Sequence, residues 1–557
     1  MTADLIVHGG PVYVLDEAGT VAEAVAVRDG RVLAAGPAGD ILALRGAGTR
    51  LLHTGGRAVV PGLVDGHAHF DREGLKEALP SLAGARSIAD ILDRIAELVR
   101  AARPGEWIVT MPVGEPPYYV DPAGTLAENR FPDRHDLDRV SPDNPVYIRA
   151  IWGFWRHQPP LVSIANTAAL RLAGVGRDTP SPHPAVEIQR DAAGEPTGVF
   201  VEWTPMPIAE LTLLRAVPGF THEQRVAGLR ASAARYHATG TTSVFEAHGV
   251  ADEVLAAYQE LAGRGELTMR ASLAMSPSWG SLDTGVLFGP WGRWLAGRGL
   301  GDDMLRMSGL FVEPHGSDED RVRATAMPYT GWAGFSSDAA LPPGTDVTEF
   351  LVKAARHRMR VVLMGTELLD VLGEVDRRVP LRGLRWVIGH ISVLTAEQIR
   401  RIAELGLLVT THTNRYLYKQ SEDLAGEVDE ESIVPLRALL DAGVPVSLGT
   451  DNVPTSLFHP VWHCVARRGR RTGRVVGAGQ RLTRLEALRL ATAGGAYLTF
   501  DEAVKGTLRP GAYADLAVLS ADPMRVPEEE LPAIVADLTM VGGRAVHRSP
   551  DLDGVAL

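Results

Sequence analysis

The chain has 557 residues, 45% apolar and 22% charged, with a formal net charge of −12 and one cysteine, Cys464. That length exceeds what one core can serve, so two or more domains are expected. The lone cysteine excludes an intrachain disulfide and any multi-cysteine metal site, and the acidic balance argues against a nucleic-acid partner.

No apolar run reaches the ~18 residues needed to span a bilayer. Met1 to His8 lack a basic region followed by an apolar stretch, so no leader is expected and a reducing cytoplasm fits. Residues 4–60 read as short β-strands, among them Leu5-Ile6-Val7, Val12-Tyr13-Val14 and Ala24-Val25-Ala26-Val27, separated by turns such as Asp29-Gly30. The C-terminus has the same character, with Ala514-Asp515-Leu516-Ala517-Val518-Leu519 and a hairpin turn at Gly542-Gly543. Two β-rich ends around a long middle predict one composite β-sandwich from residues 1–61 and 504–557.

The middle, 62–503, alternates apolar strands with helical periodicity. Strands are expected at 63–69, 241–247, 268–274, 307–313, 359–364, 384–390, 406–411 and 444–450. Eight parallel βα units close a (β/α)₈ barrel, with catalytic groups at the strands' C-terminal ends. The first two strands lie about 170 residues apart, far beyond an ordinary βα connection, so an inserted subdomain is expected at about 75–238. The basic run Arg467-Arg468-Gly469-Arg470-Arg471 reads as a solvated loop.

Within this frame, His67 and His69 follow the β run Ala58 to Val64. Residues i and i+2 of a strand share a face, so both imidazoles can turn toward one divalent cation.

The chain resembles the amidohydrolase superfamily, and most of all the YtcJ-like branch that includes N-substituted formamide deformylases. The resemblance rests on Gly62-Leu63-Val64-Asp65-Gly66-His67-Ala68-His69, Asn166-Thr167-Ala168-Ala169-Leu170 and Gly194-Glu195-Pro196-Thr197-Gly198. It continues through Gly240-Thr241-Thr242-Ser243-Val244, Ile388-Gly389-His390, Leu448-Gly449-Thr450-Asp451 and the closing Leu508 to Leu516. It implies an α/β fold, a distorted TIM-like (β/α)₈ barrel with a composite β-sandwich from both termini and a long insertion after the first barrel strand. It also implies metal-dependent hydrolysis of a C–N bond, in an amide, formamide or related small molecule. The same parts would serve deamination of a heterocycle. A non-hydrolytic lyase, or a binding protein with a degraded site, are the readings further off.

The resemblance also assigns residues. One metal position takes His67, His69 and, at the end of the eighth strand, Asp451, which doubles as the proton carrier of the attacking water. His390 matches the sixth-strand place, as a ligand or as a donor to the substrate carbonyl. The second metal position is depleted: Val362 stands where relatives carry the fifth-strand histidine, and Phe311 where they carry the fourth-strand lysine. Glu313, on the same face as Phe311, could serve as a carboxylate ligand. One Zn²⁺ per chain is therefore expected.

His248, His315 and His412 sit just past predicted strands and are candidates for the pocket or for the lost ligand. Glu246 and Glu202 are weaker candidates of the same kind. Large rings in the insertion, including Tyr119 and Trp155, suggest a pocket wall and an apolar, partly aromatic substrate. Expected partners are a small molecule, no nucleic acid and no membrane, and a homodimer is compatible.

Overall fold

Eight short, almost wholly buried strands run parallel and in chain order around the centre of the molecule. They are β1 (Leu63–Ala68), β2 (Thr241–Val250), β3 (Arg270–Met275), β4 (Leu305–Phe311), β5 (Val361–Met364), β6 (Val387–Gly389), β7 (Leu408–Thr410) and β8 (Val446–Ser447). Being covered on both faces, they are near-continuous apolar runs. The computed structural model describes every residue except 117–118, 152–159, 205–206, 277–284, 286, 313–340, 342–344 and 553–557. Among the described residues no helix is long and apolar enough to cross a membrane.

The barrel closes between β1 and β8 by two backbone hydrogen bonds: Gly66 N–H donates to Leu448 O and Asp451 N–H to His67 O, both at 2.8 Å. Glycine makes this approach feasible, since a Cβ on Gly449 would lie 2.3 Å from His67 Cβ. Inside, Phe311 and Val362 are register partners on β4 and β5. They pack with Phe245, Ala247, Val387 and Leu408 in a dry apolar cluster. Burying side chains of this size is worth about 1.5–3 kcal/mol each.

Residues from both termini share one eight-stranded sheet. Leu516–Leu519 pairs antiparallel with Val59–Pro61, the strand that runs into β1. The long connection after β1 carries its own five-stranded sheet between Ile108 and Glu202. The basic run departs from its expected character at one residue. Arg467 is fully buried and its guanidinium donates to Val476, Val434 and Ile433 carbonyls. Arg468, Arg470 and Arg471 are exposed. Three backbone acceptors satisfy a buried guanidinium that a composition argument assigns to water.

Glu202, at the end of the strand Pro196–Glu202, is buried away from the barrel site. Its Oε2 accepts from Ala209 N–H at 2.9 Å, and Oε1 has no hydrogen-bond partner. Burial first, with Glu210 adding, pushes its carboxyl up from 4.5 to about 8. The folded state therefore holds a proton that the unfolded chain releases, so stability is full below about pH 4.5 and falls as pH rises through 8. The upper limit of that loss is about 4–5 kcal/mol. In urea titrations from pH 5 to 9, Glu202→Gln should flatten the decline seen in the parent chain. Parallel slopes for the two would contradict a protonated Glu202.

Candidate active site

Six titratable side chains converge at the C-terminal mouth of the barrel. β1 delivers His67 at its end and His69 just beyond, β2 delivers His248, and the ends of β6, β7 and β8 deliver His390, His412 and Asp451. His390, Asp451 and Asn452 adopt left-handed φ values of 55°, 54° and 50°. Such backbone is strained for residues with a Cβ and recurs where a side chain must be aimed.

His248 reaches the group through an irregularity. The register of β2 against β3 shifts between Glu246 and Val250. A bulge of this kind re-aims a side chain at a barrel rim. Gly249 permits it: φ is +78°, and a Cβ there would lie 2.6 Å from Ser276 Cβ and 2.9 Å from Phe311 Cβ.

The ligand atoms of His67, His69, His248 and Asp451 all lie within 4.8 Å of one another. His67 Nε2 is 3.1 Å from His390 Nε2, and His390 Nε2 is 3.3 Å from His248 Nε2. Asp451 Oδ1 is 2.6 Å from His69 Nε2 and 3.8 Å from His67 Nε2, while Oδ2 is 3.2 Å from His412 Nε2. Around a tetrahedral zinc with bonds of about 2.0–2.1 Å, ligand atoms sit about 3.3 Å apart, so groups this close could close on one cation.

Protonation states agree with it. Burial pushes the His67 and His248 imidazoles well below their usual range, and His69 and His390 down to about 4. Neutral imidazoles present lone pairs. Burial opposes ionisation of Asp451, but His412, His69 and His390 outweigh it and hold the carboxyl well below the usual value. Neutral nitrogens around an ionised oxygen form a donor set suited to a divalent metal.

Surrounding contacts orient the ligands. His67 Nδ1 lies 3.3 Å from Thr410 Oγ1; a proton on Nδ1 leaves Nε2 bare toward the cluster. His69 Nδ1 meets the Arg72 guanidinium, which can only donate, so here Nε2 carries the proton and donates to Asp451. For His69 Nε2 to take a metal, that proton must leave it. Asp71 and Glu246 lie nearby, their ligand atoms within 4.8 Å of a His69 ring nitrogen and of each other. Burial pushes Asp71 up to about 6 and Glu246 well above its usual range.

Phe311 and Val362, expected at a depleted second metal position, are 1% and 0% exposed, and the Phe311 ring stands 5.3 Å from that of His248. Tyr119 lies apart from the cluster. It lines a cavity of about 850 Å³ between insertion and barrel with Met111, Lys76 and Val453, two residues from Asp451. Glu313, His315 and Trp155 lie outside the described residues. Arg72, Asp65 and Thr410 were not singled out by the sequence. The one signal available was Asp65 itself, a carboxylate inside the apolar run 58–64 and its continuation.

The family model described as "Amidohydrolase family" matches residues 54–547. The chain belongs to the amidohydrolase family. Among relatives, the putative amidohydrolase YtcJ of Bacillus subtilis (strain 168) is 27% identical over 97% of this chain and 98% of its own length. The N-substituted formamide deformylase of Arthrobacter pascens is 26% identical, with 97% of each chain covered. An uncharacterised metal-dependent hydrolase from Pyrococcus furiosus shares the fold, with a TM-score of 0.66 at 21% identity over 94% of this chain and all of that one. As a family member, this chain is an enzyme acting on carbon–nitrogen bonds other than peptide bonds.

Proposed function

We propose that this amidohydrolase cleaves the C–N bond of an amide or formamide in a small molecule, using one divalent metal per chain, zinc by donor type. The observation that carries the reading is the convergence of His67, His69, His248 and Asp451 within 4.8 Å, beside a second position filled by Phe311 and Val362. These four would hold the ion. Bound there, it supplies Lewis acidity, lowering the pKa of a water toward ~7 and polarising a carbonyl.

The chain's own residues do the rest. Asp451, kept ionised and 9% exposed, accepts the water's proton on a carboxylate oxygen and returns it to the leaving nitrogen. His412 holds the other oxygen. His390, neutral and half-buried, donates a hydrogen bond to the carbonyl oxygen as charge develops there. The apolar wall of Phe311 and Val362 excludes water from the inner side. Tyr119 and the cavity beside it suit an apolar or aromatic substituent.

The division into a terminal unit (1–61 with 504–557), a barrel and its insertion belongs to the same reading, as does a cytoplasmic setting; sheet membership supports the former. Metal analysis of the purified chain should find one tightly bound divalent ion, lost with activity on chelation and regained on zinc addition. Two tightly held ions would sink the mononuclear assignment. Activity untouched by chelators would sink metal hydrolysis altogether. A panel of amides and formamides, read by amine and formate release, tests the bond.

A further inference from the structure

We propose that the turn after β7 is an anion subsite, in which Arg415 and Lys419 receive a carboxylate carried by the substrate. This rests on the hydrolase reading and narrows its substrate to an amide or formamide that also bears a carboxylate, such as an N-acylated amino acid. The turn starts at the catalytic centre. His412, 3.2 Å from Asp451, packs edge-on against Tyr416 at 5.9 Å, and the Arg415 guanidinium lies 5.1 Å from the Tyr416 ring centre.

Asn414–Lys419 is a π-helical turn. With more than four residues per turn, Arg415 and Lys419 fall on nearly the same side. Both are half-buried. Arg415 enters no ion pair among the described residues, and its buried Nε has no hydrogen-bond partner. A guanidinium Nε buried without an acceptor is costly, so a half-buried Arg415 that keeps one suits an anion from outside.

Charge around the turn points the same way. The Arg415 charge acts on His390 and that of Lys419 on His463. Arg470 approaches from the next loop, its N–H donating to Tyr418 O at 2.7 Å. His459 and His463 come from Phe458–Ala466, and His463 stacks on Tyr418 at 5.1 Å. The acids around it are Asp451, already engaged by His69 and His412, Glu367, which acts on Tyr416, and Glu422 and Asp423, both paired with Arg471. In a chain of net charge −12, Arg415 and Arg470 put two permanent cations beside the turn, both acting on Lys419. Burial and Arg470 draw Lys419 down to about 6 even against Asp451; a docked anion would restore its proton. A carboxylate there sits on the β7 side of the metal ligands, leaving the scissile carbonyl facing Asp451 and His390.

Calorimetry on the metal-loaded protein tests this with probes that have no scissile bond: 3-phenylpropanoate, neutral 3-phenylpropanol and phenylphosphonate. The propanoate should bind at least tenfold more tightly than the alcohol, and more weakly as salt rises. Arg415→Met and Lys419→Met should each erase most of that preference while leaving alcohol binding and metal content unchanged; Arg415→Lys should keep part of it. Equal binding of acid and alcohol, or a preference that survives both Met variants because the acid sits on the metal, would overturn the subsite. Tighter binding of phenylphosphonate would overturn the carboxylate assignment. Because no probe is hydrolysed, a chain that binds the acid through Arg415 and Lys419 yet cleaves no amide would refute the hydrolase reading alone.

Discussion

Asp451→Asn is expected to lower kcat/KM by about 10²–10⁴-fold, the range for losing a general base, while the chain stays folded. The two side chains have the same shape. An asparagine carbonyl still accepts from His69 Nε2, which now lies 2.6 Å from Oδ1. What the variant cannot do is take a proton from water or pass one on, and it also removes the one ionised group among the four donors. Metal affinity should fall as well, so activity is to be measured with zinc in excess and metal content determined beside it. Circular dichroism of parent and variant should superimpose. If reconstituted Asp451→Asn stays within tenfold of the parent, another group carries the proton, and His412 on the opposite oxygen is the next to test.

The barrel was legible because its strands are buried on both faces and read as apolar runs wherever they fall. Their ends were less so. β8 was expected over 444–450, yet only Val446 and Ser447 pair in the sheet. Pro445 offers no N–H, and Gly449 is used for the approach to His67 rather than for a ladder. β2 runs on to Val250 through a bulge that no periodicity encodes. That bulge is why His248 was only one of several histidines past a strand, although its ring stands 5.0 Å from that of His67 and 4.8 Å from that of His69.

The His67 and His69 pair and Asp451 were legible because local motifs carry them. Their meeting with His248, His390 and His412 depends on the closed barrel and is written in no single stretch. Val362 and Phe311 were legible as hydrocarbon, and both lie in one apolar cluster inside the barrel. Arg72 gave no signal. It occupies the first turn after His69, where the sequence shows only an ordinary charged residue.

Asp65→Ala should cost about 3–9 kcal/mol of stability, from three donors left without an acceptor at roughly 1–3 kcal/mol each. Asp65 is fully buried between the first and last strands. Its Oδ1 accepts from the backbone N–H of His67 and of Thr450, both at 3.0 Å, and its Oδ2 from the Thr450 hydroxyl. Burial pushes its carboxyl up to about 6, with those hydrogen bonds pulling the other way, so at pH 7 it is mostly ionised. One carboxylate thus fixes the backbone of His67 on β1 and of the residue before Asp451. It locks the barrel seam and sets the spacing of the site together. Asp65→Ala should therefore unfold at lower urea and also hold its metal more weakly. Asp65→Asn should be far milder: its carbonyl can accept from both N–H groups, and the Thr450 hydroxyl can turn to accept from the amide. An Ala variant that matches the parent in urea midpoint and metal content would mean that β1 and β8 are held by their two backbone hydrogen bonds alone. The Asn variant keeps the comparison informative even if the Ala variant does not fold.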